Sequence, residues 1–226
     1  MNFLAQTLTI ASKDLRSELR SKDALNASLS FAVVILLLFS FAFDPTSDQT
    51  REIAGGLLWL VFSFAGALIL NRSFAREQPN DCLEALLASP LPGAALYLGK
   101  ALTNFLLLIA VEAVCFPVFG VFYNIRWARQ PASLALIVVL ATWALTVIGT
   151  AFSALTVNLR LRELMLPILV YPVLIPALLP AIQITSQLVA GEPLGGDMMM
   201  GLRLLIAFDI IFTALALALI ETVLAG

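Results

Sequence analysis

The sequence predicts an all-α integral membrane protein with six transmembrane helices, and three observations lead to this fold class. Of its 226 residues, 61% are apolar and only 12% are charged, whereas soluble globular chains are about half apolar and about a quarter charged. The mean hydropathy is +0.98. The apolar residues form long continuous runs and do not alternate with polar ones, which favours membrane helices over an outer-membrane barrel.

The composition also excludes several classes of function. The chain has no histidine, which excludes histidine-dependent acid–base catalysis and histidine ligation of zinc or haem by this chain. Cys82 and Cys115 are too few for an iron–sulfur cluster or a cysteine-only zinc site, so no metal site is predicted. With 13 Lys and Arg against 15 Asp and Glu, the chain has no basic field for nucleic acid.

Residues 1–22 are predicted to form an amphipathic helix that lies in the membrane interface. One face carries the apolar stripe Leu4, Leu8, Ala11, Leu15 and Leu19. The cations on the opposite side, which would face the lipid headgroups, are Lys13, Arg16 and Arg20. Such a pattern is typical of an interfacial helix; the alternative is a cytosolic helix packed on a partner.

Six apolar segments are long enough to cross about 30 Å of hydrocarbon, which takes about 20 residues as a helix. Four of them contain no charged residue, and the other two carry an acid well inside the span, at Glu112 and Asp209. They belong to one transmembrane domain, residues 1–226, with spans at about 24–43, 53–71, 101–123, 132–157, 164–187 and 201–224.

The distribution of basic residues predicts the orientation. Nine of the 13 Lys and Arg residues flank the spans on the side that also holds both termini. Because basic residues accumulate in cytoplasmic loops, both termini are expected in the cytoplasm.

The longest predicted cytoplasmic loop, residues 71–100, contains a short helix at 81–89. A capping-box pattern begins at Asp81, and Pro90 ends the helix,. Its candidate contact residues are Leu83, Glu84, Leu86 and Leu87. The helix either covers the end of the bundle or docks a cytosolic partner.

The fifth span contains four prolines: Pro167, Pro172, Pro176 and Pro180. Each proline removes a backbone donor and disturbs the helix. The span is therefore either a curved packing helix or a flexible element that changes shape during a transport cycle.

Glu112 and Asp209 are acids inside predicted spans, at similar estimated depths. An ionisable residue in hydrocarbon is costly and faces the bundle interior or a water-filled cavity. The two acids either make separate structural hydrogen bonds or share one polar pocket.

Several motifs, in this order along nearly the whole chain, resemble the haem exporter protein B (CcmB) family. They are Gly-Leu-Leu-Trp at 56–59, Asn-Arg-Ser-Phe at 71–74 with Glu77, Leu-Glu-Ala-Leu-Leu-Ala-Ser-Pro at 83–90, Thr-Val-Asn-Leu-Arg-Leu-Arg-Glu at 156–163, and Phe-Asp at 208–209. The chain departs from the family at 78–80, where a more glycine-containing turn is expected. The stretch 93–100 is not a phosphate-binding loop, because five residues separate its glycines and Ala101 follows its lysine,.

The resemblance implies an ABC-2-type permease of the bacterial inner membrane that acts in haem delivery to the periplasm for c-type cytochrome biogenesis. It implies a transport subunit without enzymatic activity of its own, with ATP bound by a separate ATPase chain and haem as a possible substrate. Further implied partners are a haem-handling maturation protein C, a small single-span subunit, a second copy of this chain and membrane lipid. The implied ATPase-coupling residues are Glu77, Leu83, Glu84, Leu86, Leu87, Arg160, Arg162 and Glu163. The alternative is an ABC-2 permease for another lipid-like or drug-like substrate.

Overall fold

A computed structural model describes residues 2–43, 47–78, 86, 91–124, 129–157 and 159–225. These residues form helices, with no strand among them. The helices are α1 (Phe3–Ser21), α2 (Asp23–Ala42), α3 (Asp48–Ser73), a 3₁₀ turn (Ala75–Glu77), α4 (Gly93–Phe122), α5 (Pro131–Thr156), α6 (Arg162–Ala190) and α7 (Met198–Ala225).

The helices α2 to α7 correspond to the six predicted spans, and each is long and apolar enough to cross a membrane. The predicted number of spans is thereby confirmed. Several helices extend beyond the predicted boundaries; α4, for example, begins at Gly93 and not near residue 101. Hydropathy marks only the part of a helix that matches the hydrocarbon, whereas 30 residues of α-helix reach about 45 Å.

The interfacial segment is a separate helix, as predicted. The chain turns at Lys22, whose φ of 59° is left-handed and ends α1. On the other side of this turn, the backbone N–H of Leu25 donates to Glu18 Oε1 at 2.9 Å. Glu18 therefore satisfies one of the free donors at the start of α2.

The centre of the bundle is formed by α3 and α5, whose side chains are mostly buried, while α2 and α7 lie at its periphery. Much of the packing is between three pairs of helices: α3 with α6, α5 with α6, and α5 with α7. The helix α1 lies along α4. Large apolar side chains such as Phe41 and Met200 point outward. In a membrane this apolar exterior contacts lipid.

Two of the helices, α3 and α6, approach each other closely near one end. A Cβ added to Gly55 would lie 2.4 Å from the backbone oxygen of Ile182, so only glycine allows this contact. Hydrogen bonds between these helices include those from Tyr171 Oη to Ser63 O (3.0 Å), from Trp59 Nε1 to Thr185 Oγ1 (3.0 Å) and from Gly55 N to Ser186 Oγ (3.1 Å).

The four prolines of the fifth span lie inside α6, which stays one continuous helix of 29 residues. Pro180 is buried and faces Gly201 of α7, whereas Pro172 and Pro176 are exposed on the outside of the bundle. A change of shape in α6 stays a prediction.

Candidate functional site

Charged side chains from α1, the 3₁₀ turn and α4 meet at the end of the bundle that carries α1. We refer to Lys13, Asp14, Glu18, Arg76, Glu77 and Lys100 as the charge cluster. The three acids balance the three bases, so the cluster is neutral as a whole.

Lys100 is the centre of the cluster, and its side chain is only 1% exposed. Its Nζ donates to Glu77 Oε1 at 3.0 Å, to Asp14 Oδ2 at 3.1 Å and to the backbone oxygen of Ser73 at 2.9 Å. The ammonium also lies 5.1 Å from the centre of the Phe74 ring, within cation–π range. All its hydrogen-bonding capacity is thus used inside the protein.

Lys13 approaches the same carboxylates from the solvent side, with a side chain that is 45% exposed. Its Nζ lies 2.7 Å from Glu77 Oε1 and 3.0 Å from Asp14 Oδ1. Burial lowers the pKa of Lys13, but the hydrogen bond to Glu77 and the charge of Asp14 outweigh that effect and raise the pKa above its ordinary value. Arg76 completes the cluster by pairing with Glu18.

The cluster joins α1 to the ends of α3 and α4. Apolar contacts continue this junction, since a Cβ on Gly99 would lie 2.7 Å from Ile10 Cβ. On the adjacent face of α1, Leu4, Leu8 and Leu19 are exposed, while Ala11 is buried against the bundle. One part of the predicted apolar stripe therefore packs against the bundle. The other part is exposed, as suits a helix in the membrane interface.

Gln78 connects the two loops at this end of the bundle. Its Nε2 donates to the backbone oxygen of Val157 at 2.7 Å, and its Oε1 accepts from Arg162 Nη1. The position where the sequence departs from the expected turn thus forms a bridge to the start of α6.

The predicted coupling residues fall into different groups. Glu77 and Arg162 bind other side chains of this chain, whereas Arg160 and Glu163 are exposed and have no hydrogen bond or ion pair within the described ranges. Leu86 is half-buried and packs against an apolar cluster that includes Phe74. Leu83, Glu84 and Leu87, with most of the predicted helix 81–89, lie outside the described residues.

A cavity of about 200 Å³ lies beside the charge cluster and continues into the bundle along α4. At its inner end, Asn104 Nδ2 donates to Ser73 Oγ and to Thr150 Oγ1, both at 2.9 Å. These bonds link α3, α4 and α5 just inside the cluster. Polar contacts therefore connect the loops at this end of the bundle to its core, and a displacement of the loops would act on the core through them.

The two intramembrane acids have different surroundings. Glu112 is 1% exposed, and both its carboxyl oxygens contact Thr142 Oγ1, at 2.8 and 2.9 Å. Asp209 is 7% exposed, and neither of its oxygens has a hydrogen-bond partner within the described ranges. No hydrogen bond joins the two acids, and a shared pocket stays a prediction.

Sequence reasoning missed the charge cluster as a unit. It used Lys13, Arg76 and Lys100 to predict orientation and gave Asp14 and Glu18 no role. One signal was available: Asp14 and Glu18 are four residues apart and therefore lie on one face of α1, next to its apolar stripe.

Comparison with known proteins gives a consistent result. The family profile described as CcmB protein matches residues 5–223. The chain is 33% identical over 172 residues to heme exporter protein B of Rhodobacter capsulatus, covering 75% of this chain and 78% of that protein. It is 30% identical over 204 residues to heme exporter protein B of Paracoccus denitrificans (90% and 91% covered). The protein of that name from Pseudomonas aeruginosa is 28% identical over 209 residues (92% and 93% covered).

Proposed function

The chain belongs to the CcmB family, and we propose from this that it is the permease subunit of an ABC transporter that exports haem for c-type cytochrome biogenesis. The observation that carries the proposal is the match to proteins named heme exporter protein B over most of the chain. The six apolar helices provide the membrane domain that such a subunit needs. A permease for another lipid-like or drug-like substrate is the less favoured alternative.

The proposal includes a cargo, an ATPase and further subunits. Haem is the cargo and not a resident cofactor, and a separate ATPase chain hydrolyses ATP. A haem-handling maturation protein C, a small single-span subunit, a second copy of this chain and membrane lipid complete the proposed assembly. It would lie in the bacterial inner membrane, with both termini of this chain in the cytoplasm.

The contacts of the loops support a route for coupling. An ATPase that displaces the loop after α3 would also move α1 and α4, because Lys100 binds carboxylates from both sides. Through Gln78 the same displacement would reach Arg162, the first residue of α6. The exposed Arg160 and Glu163 are then available for direct contact with the ATPase.

The test compares neighbouring residues in a bacterium whose own CcmB-family gene is deleted. Arg160→Glu together with Glu163→Lys is expected to reduce co-purification of the ATPase and the yield of c-type cytochrome, without changing the thermal stability of the purified chain. The control Arg162→Ala is expected to lower thermal stability as well, because it breaks the bond to Gln78.

Two outcomes contradict the proposal. If the unmodified chain does not restore cytochrome c assembly in the deletion strain, the haem-export function is wrong. If the double variant restores assembly fully and retains the ATPase, these exposed charges do not couple the two subunits.

A further inference from the structure

A narrow crevice opens between α4 and α5 on the side of the bundle, away from the charge cluster, and reaches Pro131 at the start of α5. Its volume is about 180 Å³. Ala113, Pro131 and Ala135 among its lining residues are exposed and mark its mouth. The neighbouring side chains Val114 and Leu136 are also exposed, so the crevice opens on the apolar exterior that contacts lipid.

The wall of the crevice is apolar except for one carboxyl group. Glu112 is the only polar residue among those that line it. The side chain is buried, so its charge or hydrogen-bonding capacity cannot be satisfied by bulk water. A carboxyl group in such surroundings is costly unless a donor or a cation meets it.

Thr142 satisfies this carboxyl group only in part. The distances from Thr142 Oγ1 to the two carboxyl oxygens are 2.8 and 2.9 Å, but a hydroxyl has a single hydrogen and can donate to one oxygen at a time. An ionised carboxylate accepts about four hydrogen bonds. No second donor reaches Glu112 from the part of the chain that the structure describes.

The volume limits what can enter. An apolar cavity of about 150 Å³ holds one benzene molecule, and sites for drug-sized ligands begin at about 300 Å³. The crevice therefore admits a single ring or a short alkyl chain and is too small for a tetrapyrrole. A carboxylate also repels the propionates of haem, so the crevice is not a haem site.

We propose that this crevice binds a lipophilic amine that enters from the membrane with its ammonium group toward Glu112. The ring or alkyl body of the ligand fills the apolar walls, and the ammonium group supplies the donors that Thr142 cannot. A charge pair of this kind is favourable in a low-dielectric site only when both charges are hydrogen-bonded. The hydrogens of a primary ammonium can be accepted by the two Glu112 oxygens and by the hydroxyl oxygen of Thr142, so both charges would be hydrogen-bonded,.

The test measures binding of 4-fluorobenzylamine by ¹⁹F NMR to the chain in lipid nanodiscs. Its control ligand is 4-fluorotoluene, which has the same ring without an amine. We expect saturable binding of the amine, weakened about tenfold by Glu112→Gln, as loss of a charge-assisted bond predicts. The control ligand 4-fluorotoluene is expected to partition to the same extent into nanodiscs with the unmodified chain and into nanodiscs with Glu112→Gln.

A second pair of variants leaves Glu112 and Thr142 intact. Ala135→Leu narrows the mouth of the crevice and is expected to weaken amine binding. Leu136→Phe changes the neighbouring exposed position and is expected to leave binding unchanged. Thermal unfolding of each variant checks that the chain is folded.

Three results would overturn the proposal. The first is equal amine binding by the unmodified chain and Glu112→Gln, and the second is equally saturable binding of 4-fluorotoluene. The third is loss of the amine site when the chain is assembled with its partner subunits, which would assign the crevice to a partner's helix. None of these measurements involves haem or ATP, so their failure is distinct from failure of the proposed function.

Discussion

At the scale of single residues, the most consequential side chain is Lys100. Its ammonium is buried between carboxylates of α1 and of the 3₁₀ turn, with a side chain 1% exposed. Removing one member of a buried charge pair leaves the other charge uncompensated and costs about 3–5 kcal/mol, whereas exposed pairs contribute about 0–1 kcal/mol. Lys13 binds the same carboxylates with a side chain 45% exposed, so the two lysines form a matched pair.

We expect Lys100→Met to lower the free energy of unfolding by about 3–5 kcal/mol and Lys13→Met by about 1 kcal/mol or less. Chemical denaturation of the purified chain in detergent micelles measures both. If both variants lose the same free energy of unfolding, burial does not determine how much Lys100 contributes to stability.

The two intramembrane acids can be compared in the same way. Glu112 is hydrogen-bonded to Thr142, whereas Asp209 has no hydrogen-bond partner among the described residues, so the two acids share none there. We therefore expect the stability effects of Glu112→Gln and Asp209→Asn to add within about 0.5 kcal/mol in the double variant. A coupling energy of about 1–3 kcal/mol would instead support the shared polar pocket.

At the scale of helices, the contact between α3 and α6 depends on the absence of a side chain at one position. Gly55 lies against the backbone of α6, whereas a Cβ on the next residue, Gly56, would meet its nearest neighbour, Ile182 Cγ2, at 3.8 Å. A Cβ at Gly55 would force the two helices apart, whereas a Cβ at Gly56 would make only an ordinary van der Waals contact. Two adjacent glycines in one helix thus have opposite structural roles.

Gly55→Ala is expected to destabilise the chain by about 1–3 kcal/mol, because overpacking forces the backbones apart. Gly56→Ala is expected to be neutral or to stabilise by up to about 1 kcal/mol, because alanine favours helix. Thermal unfolding of both variants in detergent tests this. A loss for Gly56→Ala as large as that for Gly55→Ala would exclude the close contact as the cause.

At the scale of the whole molecule, six crossings bring α1 and the end of α7 to the same end of the bundle. Ile220 of α7 and Ile10 of α1 belong to one apolar cluster there. The opposite end carries the turn after α4 and the turn before α7, joined by the bond from Gln130 Nε2 to Glu192 O at 2.6 Å. The excess of basic residues lies at the α1 end.

Reporter fusions test the resulting orientation. Alkaline phosphatase fused after Gly226 is expected to be inactive, and the same reporter inserted after Asn124 is expected to be active, because it folds only in the periplasm. The reverse pattern would mean that the basic residues do not set the orientation of this chain.

Much of the fold followed from local properties of the sequence. Apolar runs of about 20 residues predicted the six spans, and the spacing of leucines and cations in 1–22 predicted α1 as a separate helix. Glu112 was predicted to face the bundle interior or a water-filled cavity because a charged group in lipid is costly. Each of these inferences depends on the partition of a single segment between water and hydrocarbon.

The contacts that connect the segments could not be predicted in this way. Lys100 was counted as one of several loop cations, and Gln78 was noted only as a departure from an expected turn. Their partners Asp14 and Val157 are far away in the chain, and long polar side chains can pair with many groups near a membrane surface. Likewise, two neighbouring glycines look alike in sequence, and only the position of α6 distinguishes Gly55 from Gly56.

From the amino-acid sequence alone follow the six segments long enough to cross a membrane, their approximate positions, and the family that the chain resembles. Only the packed helices show which charges neutralise each other, which glycine permits close packing, and that Glu112 lies beside a crevice on the apolar exterior. The difference arises because transfer of a helix into hydrocarbon is a property of the segment alone. Pairing of side chains, in contrast, depends on distances that only the packed bundle sets.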